Sequence, residues 1–130
     1  MIGIVIVAHG GLAREYVNAI EHVVGPQPGL RGITIENEYD RNAKQAEICA
    51  AADEVDSGDG VVIVTDLFGG SPSNLALKAS APENRRILYG ANLPMLIKLA
   101  KSRHLEVAQA ARAAMDAGRK YIDSHNQPVD

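Results

Sequence analysis

Cysteine, aromatic residues and an excess of basic charge are scarce or missing in this 130-residue sequence. The single cysteine, Cys49, has no partner for a disulfide within the chain, as is typical of proteins that work in a reducing compartment. Aromatic side chains make up only 4% of the residues and the formal net charge is −3. Neither base stacking nor a basic phosphate-binding face is therefore indicated, and the composition argues against nucleic-acid binding.

Long hydrophobic runs are missing as well. The first apolar run, residues 2–8, is far shorter than the roughly 20 residues that a transmembrane helix needs, and it lacks the basic start of a signal peptide. No later run approaches membrane length. We therefore expect a cytoplasmic protein without direct membrane insertion.

What the sequence does contain is a regular alternation of β-branched runs and helix-forming segments. Strands are predicted at residues 2–8, 30–36, 61–65 and 86–89, and helices at residues 12–24, 43–55, 72–79, 95–101 and 106–116. The first and third strands are continuously apolar, as in strands buried on both faces of a parallel sheet. The pattern predicts an α/β fold, a doubly wound three-layer sandwich with a mainly parallel sheet in the order 2-1-3-4.

The C-terminal segment allows two interpretations. Gly118 is placed to end the last helix in a left-handed conformation. Residues 119–122 then fit either a short antiparallel edge strand or a frayed continuation of the helix. We expect one domain over residues 1–123, followed by a mobile tail at residues 124–130.

Two chemically complementary side chains follow the two most apolar strands. His9 ends the first strand and Asp66 follows the third, so in the predicted order both border the crevice at which open α/β sheets bind ligands. A carboxylate that accepts a hydrogen bond from one imidazole nitrogen leaves the other nitrogen free as a nucleophile, and stabilises the positive charge that develops. We therefore predict that His9 is a nucleophile oriented by Asp66.

A glycine-rich turn comes directly after Asp66. Gly69 and Gly70 let the backbone approach an anion closely, and Ser71 ahead of Pro72 fits the N-cap of a following helix. Unpaired amides at such a helix start favour a bound anion, to which the Ser71 hydroxyl could donate. The same residues also fit a tight turn with a cap and no ligand.

Several motifs that would indicate other chemistry are absent. There is no GxxxxGK[ST] nucleotide loop, no zinc-type spacing of His and Cys, and no GxSxG elbow. A histidine that accepts phosphate from an already energised donor needs none of these, so we expect no cofactor and no metal. His22, His104 and His125 lie mid-helix, in a polar turn and in the tail, and are interpreted as incidental.

Taken together, these residues resemble the mannose-type IIA family of the phosphoenolpyruvate-dependent sugar phosphotransferase system. The segments AHG, TDLFGGSPSN and GANLPML occur in the family's order and at its intervals over nearly the whole chain. The resemblance implies that His9 is phosphorylated, that Asp66 orients it, and that the region from Gly69 to Ser71 holds the phosphoryl group.

The resemblance also implies partners. The donor would be the phosphohistidine of the carrier protein HPr, and the acceptor a IIB protein or domain. Family members form homodimers, in some cases by exchanging a C-terminal strand, which favours the edge-strand interpretation of residues 119–122.

Three features depart from the family pattern. A sequence of 130 residues leaves no room for a IIB domain, so the acceptor would act in trans or be missing. Ala8 stands where relatives often have a hydroxyl residue, and Phe68 where some have a larger aromatic side chain. Stand-alone members in some bacteria work without a sugar permease, so transport and regulation both remain open.

Two alternative functions share features with this sequence. A phosphotransfer subunit of a dihydroxyacetone kinase has the same fold and the same histidine chemistry, and only its acceptor would distinguish it. Small tetrapyrrole chelatases also begin with a strand followed by His-Gly, but they need a second metal-binding group across the crevice. The sequence offers no second histidine at a strand end, and the glycine-serine turn suits an anion better.

Overall fold

The computed structural model describes residues 1–126, except for the side chain of Ser71. The strands are β1 (Gly3–His9), β2 (Leu30–Ile35), β3 (Val61–Thr65) and β4 (Arg85–Leu88). The helices are α1 (Leu12–Val24), α2 (Arg41–Val55), α3 (Gly70–Ala76), α4 (Leu93–Lys101) and α5 (Val107–Lys120), and a 3-10 turn covers Lys78–Ser80. None of these helices combines the length and the apolar sequence needed to cross a membrane.

The strands pair in parallel in one sheet of order β2-β1-β3-β4. In its register, Val7 of β1 lies opposite Ile33 of β2 on one side and Thr65 of β3 on the other. The predicted 2-1-3-4 order is therefore confirmed. Because the strands run in the same direction, His9 at the end of β1 and Asp66 just after β3 come to the same edge of the sheet.

Helices cover both faces of the sheet, and β1 supplies side chains to both layers. Ile4 and Ile6 belong to the core shared with α1, α4 and α5, whereas Val5 and Val7 belong to the core shared with α2 and α3. This arrangement confirms the three-layer sandwich. β3 is buried along its whole length, and in β1 only His9 is exposed. The apolar runs that predicted central strands are thus explained by burial on both faces.

The C-terminal expectations need correction. α5 continues through Gly118 to Lys120, and no strand follows it within residues 121–126. Gly118 is buried where α5 passes α4: a Cβ there would lie 3.1 Å from the Met95 Cβ, and the Asn92 side chain donates a hydrogen bond to the Gly118 carbonyl at 2.8 Å. The glycine thus permits a close helix contact instead of ending the helix. The predicted glycine stop was therefore wrong. Of the two interpretations of residues 119–122, the edge strand was wrong and the continuation of the helix holds as far as Lys120.

The predicted mobile tail, residues 124–130, lies partly outside the described residues. Residues 124–126 are exposed and form neither helix nor strand.

Asp56, which follows α2, accepts several hydrogen bonds. Its carboxylate receives the backbone N–H groups of Gly58 at 2.9 Å and Gly60 at 3.3 Å, and the Arg85 guanidinium at 3.2 Å. The hydrogen bond from Gly58, together with those from Arg85 and Gly60, lowers the pKa of Asp56 against an opposing effect of partial burial. The charged form is therefore favoured by folding.

This lowered pKa predicts a pH dependence of stability. Asp56 adds stability above its unfolded-state pKa of about 4, and that stability is lost as the pH falls through the lower folded-state pKa. Between about pH 5 and pH 2, we expect the unfolding free energy of the wild type to fall more steeply than that of Asp56→Asn. Urea unfolding curves at several pH values measure both slopes. Equal slopes would show that Asp56 is not linked to folding.

Candidate active site

His9 and Asp66 are in direct contact at the carboxyl edge of the sheet. The His9 Nδ1 lies 3.0 Å from Asp66 Oδ2, and the His9 backbone N–H donates to the same oxygen at 3.0 Å. The His9 side chain is 51% exposed, whereas that of Asp66 is only 10% exposed. The structure thus brings the two predicted residues together as a buried carboxylate and an accessible imidazole.

This contact leaves one imidazole nitrogen available. A carboxylate can only accept hydrogen bonds, so a neutral His9 must have its proton on Nδ1. Among the described side chains, of which that of Ser71 is not one, the other nitrogen, Nε2, forms no hydrogen bond. The lone pair of Nε2 is therefore free to attack an electrophile that approaches from solvent.

Only one of the two Asp66 carboxylate oxygens accepts hydrogen bonds from the described residues. Its Oδ2 accepts both hydrogen bonds from His9, while its Oδ1 is buried without a partner among the described residues. Buried polar atoms without partners are uncommon and cost free energy. A positive charge that develops on the imidazole is compensated directly by this carboxylate, which accepts hydrogen bonds only from His9 among the described residues.

The glycine turn after Asp66 leads into α3 earlier than predicted. Gly69 (φ 76°) precedes the helix and Gly70 (φ 71°) begins it, so Ser71 lies inside α3 and the predicted Ser71 N-cap was wrong. Both glycines lie in the left-handed region, which turns the chain into the helix before the serine. A Cβ at either glycine would meet no atom within 4 Å. The backbone of this turn therefore faces open space.

Exposed apolar side chains adjoin the site. Leu67 is 56% and Phe68 82% exposed, and the Phe68 ring contacts Tyr89 edge-to-face with ring centroids 5.0 Å apart. Tyr89 follows β4, the neighbour of β3, so the three side chains share the sheet edge of Asp66. We call Leu67, Phe68 and Tyr89 the apolar ledge. Of these three residues, sequence analysis identified only Phe68. The position of the aromatic Tyr89 directly after β4 was a signal that could have pointed to it.

Tyr16 is a second residue that sequence reasoning missed. Its hydroxyl donates to the Ala91 carbonyl at 3.2 Å. Partial burial and, to a smaller extent, the negative charge of Asp66 raise the pKa of Tyr16. Tyr16 lies at an apolar position in the helical spacing of residues 12–24, and no local pattern in the sequence points to its polar partner.

The other histidines do not join the site. His22 is exposed in the last turn of α1, His104 lies beside Met1 at the opposite end of the sheet, and His125 is exposed. Within residues 1–126, no group of three or more His, Cys, Asp or Glu side chains is arranged to hold a metal ion.

Known proteins resemble this chain in sequence and in fold. A family model described as the PTS system fructose IIA component (EIIA-man) matches residues 3–116. The YadI protein of Escherichia coli (strain K12), named as a phosphotransferase enzyme IIA component, is 31% identical over 97 residues, which are 74% of this chain and 66% of YadI. The mannose-specific EIIAB component of the same strain is 28% identical over 133 residues, covering 93% of this chain and 38% of that protein.

A solved structure shows the same fold. The crystal structure of phosphotransferase system component EIIA from Streptococcus agalactiae superposes with a TM-score of 0.85 at 25% identity, covering 95% of this chain and 97% of that one. Against the two curated relatives, this chain spans 66% and 38% of their lengths. Because the family model matches most of the chain, the chain belongs to the EIIA-man family of phosphotransferase-system IIA components.

Proposed function

We propose that this phosphotransferase-system component is a phosphohistidine carrier in the cytoplasm. The His9 Nε2 attacks the phosphorus atom of phospho-HPr, so that a new N–P bond forms while the N–P bond of the donor histidine breaks. Phosphorylated His9 then passes the group to a IIB protein in trans or keeps it as a regulatory signal. The observation that carries the proposal is the contact of 3.0 Å between Asp66 Oδ2 and His9 Nδ1, which leaves Nε2 free.

Such an exchange makes modest demands on the protein. Phosphate moves between two histidines of similar phosphoryl-transfer potential, so positioning and charge compensation can supply the catalysis. Asp66 meets both demands, because its buried carboxylate holds the imidazole and balances the positive charge of the phosphorylated ring. Neither a nucleotide nor a metal is required by this chemistry.

The turn formed by Gly69, Gly70 and Ser71 is the proposed holder of the phosphoryl oxygens. Its support is the left-handed backbone at both glycines and the open space beside them, which let an anion approach the main-chain amides. In this proposal the amides of the turn bind the oxygens while His9 forms the covalent bond.

The apolar ledge is the proposed docking surface for the donor and acceptor proteins. Its exposed side chains lie beside the reactive histidine, where the partner's histidine must approach. Apolar and aromatic side chains of this kind commonly anchor protein interfaces.

Phe68→Ala tests the docking surface. We expect the KM for phospho-HPr to rise about tenfold with little change in kcat, since an aromatic anchor is lost while His9 and Asp66 remain in place. Steady-state transfer rates at increasing phospho-HPr concentration give both constants. Val23→Ala, at an exposed apolar side chain at the far end of α1, is the control and should leave the KM unchanged. A wild-type KM in Phe68→Ala would remove the ledge from the interface.

We also propose that the chain forms a homodimer through the outer edge of β4. Within the described residues, β4 pairs only with β3. A cavity of about 340 Å³ lies next to β4 and includes apolar side chains: Ile87, Met95, Met115 and Ile122. Ile122 is itself 74% exposed, so this surface has apolar area that a second copy could bury. Light scattering that gives the monomer mass at micromolar concentration would contradict the dimer.

The carrier function is tested by labelling. The purified protein is incubated with labelled phosphoenolpyruvate, enzyme I and HPr, and the product is treated with acid and with base. We expect one phosphate per chain that is labile in acid and stable in base, as phosphohistidine is. No label would contradict the proposal, and an acid-stable label would contradict the histidine chemistry.

The acceptor is identified by offering the labelled protein to candidate partners. Transfer to a purified IIB protein would support the main proposal. Transfer to a dihydroxyacetone kinase, and not to IIB, would instead support the alternative acceptor.

A further inference from the structure

A chain of hydrogen bonds connects α1 with the turn that contains Asp66. The Tyr16 hydroxyl donates to the Ala91 carbonyl at 3.2 Å, and the Ala91 N–H donates to the Thr65 carbonyl at 3.0 Å. The Thr65 hydroxyl in turn donates to the Leu67 carbonyl at 2.9 Å. We call this connection of Tyr16, Ala91, Thr65 and Leu67 the Tyr16 brace.

The brace holds the backbone on both sides of Asp66. Thr65 precedes Asp66 and is fully buried, and Leu67 follows it. Only one oxygen of the carboxylate, Oδ2, accepts hydrogen bonds, because Oδ1 has no partner among the described residues. The orientation of Asp66 therefore depends on the geometry of its flanking backbone as well as on its contact with His9.

Tyr16 extends this support to a different part of the fold. It belongs to α1 and packs against the core shared with α4 and α5, while Ala91 lies between β4 and α4. The negative charge of Asp66 also contributes to the raised pKa of Tyr16, after the larger effect of burial.

We propose that Tyr16 and Thr65 are positioning residues that set the rate of phosphoryl transfer at His9 by fixing Asp66 through the Tyr16 brace. The inference rests on the carrier function proposed above. In the described structure the hydroxyls of both residues donate to backbone carbonyls, not to His9 or Asp66. Each acts on the carboxylate, and the carboxylate acts on the imidazole.

Two nearly isosteric variants separate this role from simple packing. Tyr16→Phe removes only the hydroxyl that bonds Ala91, and Thr65→Val removes only the hydroxyl that bonds Leu67. In a single-turnover reaction with phospho-HPr, each variant should transfer phosphate about three- to tenfold more slowly than the wild type, as expected for a lost hydrogen bond that positions a reacting group. Tyr121→Phe, at an exposed tyrosine after α5, is the control and should react at the wild-type rate.

A double-mutant cycle shows whether the effect passes through Asp66. In an Asp66→Asn background, Tyr16→Phe and Thr65→Val should cause little further loss, because the carboxylate that they position is already gone. Wild-type rates in both single variants would overturn the inference. The same is true if the two losses persist unchanged in the Asp66→Asn background.

A second measurement keeps the test decisive if a variant loosens the fold. The ¹⁵N shifts of the His9 imidazole report its tautomer and its hydrogen bond to Asp66. In folded Tyr16→Phe they should move towards those of an unrestrained imidazole, and unchanged shifts would contradict the brace. If the wild type takes no phosphate at all, the carrier function itself is contradicted. If the wild type is labelled and both variants react at its rate, only the role of the Tyr16 brace is contradicted.

Discussion

His9→Ala should take no phosphate from phospho-HPr under conditions in which the wild type is fully labelled. The expected loss is complete, because the variant lacks the only atom to which the phosphoryl group bonds. His9 is half exposed at the end of β1, so its replacement should leave the core intact. The measurement is the amount of acid-labile, base-stable phosphate per chain.

A matched control uses a histidine outside the site. His22 is exposed in the last turn of α1, and His22→Ala should be labelled as fast and as completely as the wild type. Label that persists in His9→Ala would place the phosphate on another residue. Loss of label in His22→Ala would have the same consequence.

The second large effect is expected for Asp66→Asn. This variant keeps the shape of the side chain but removes the charge that compensates the phosphorylated imidazole. By analogy with the removal of a single transition-state stabiliser, we expect transfer to slow by about 10²-fold in both directions. Rapid-quench measurements of phosphate gain from phospho-HPr and of its return to HPr give the two rates.

Slow transfer in these variants is informative only if they remain folded. Asp66→Asn should keep the circular dichroism spectrum and nearly the urea midpoint of the wild type, since the amide oxygen can still accept the hydrogen bond from the His9 backbone. Asp66→Ala should retain the fold too and should also be slow. Wild-type rates in both variants would remove Asp66 from the mechanism.

Much of the sheet could be predicted from the sequence, because its central strands are buried on both faces. A strand in that position needs apolar residues without alternation, and the runs at β1 and β3 have this pattern. Parallel topology then brings His9 and Asp66 to one edge without any knowledge of side-chain contacts. The position of the pair was therefore available from the chain order alone.

The end of α5 and the start of α3 could not be predicted, because other residues override the local preference at each. Gly118 has the sequence context of a helix stop, but its contact with Met95 and Asn92 makes it a packing residue within α5. Ser71 has the context of an N-cap, but the positive φ values of Gly69 and Gly70 start α3 before it. In both cases local propensity gave way to the conformation of neighbouring residues.

Details of the site required side-chain geometry. Sequence spacing does not tell which imidazole nitrogen faces Asp66. Nor does it reveal that Asp66 Oδ1 lacks a hydrogen-bond partner among the described residues. The Tyr16 brace was hidden for a similar reason, since Tyr16 and Ala91 are 75 positions apart. A tyrosine at an apolar position of a helix gives no indication of where its hydroxyl bonds.

In the proposed mechanism, Asp66 holds the Nδ1 of His9 and leaves Nε2 to form the bond to phosphorus. The most direct test is a ¹⁵N–³¹P correlation spectrum of the phosphorylated protein, recorded with ¹⁵N-labelled histidine at alkaline pH. We predict one coupled nitrogen, the Nε2 of His9. A phosphate on Nδ1, or on the ring of any other histidine, would contradict the account.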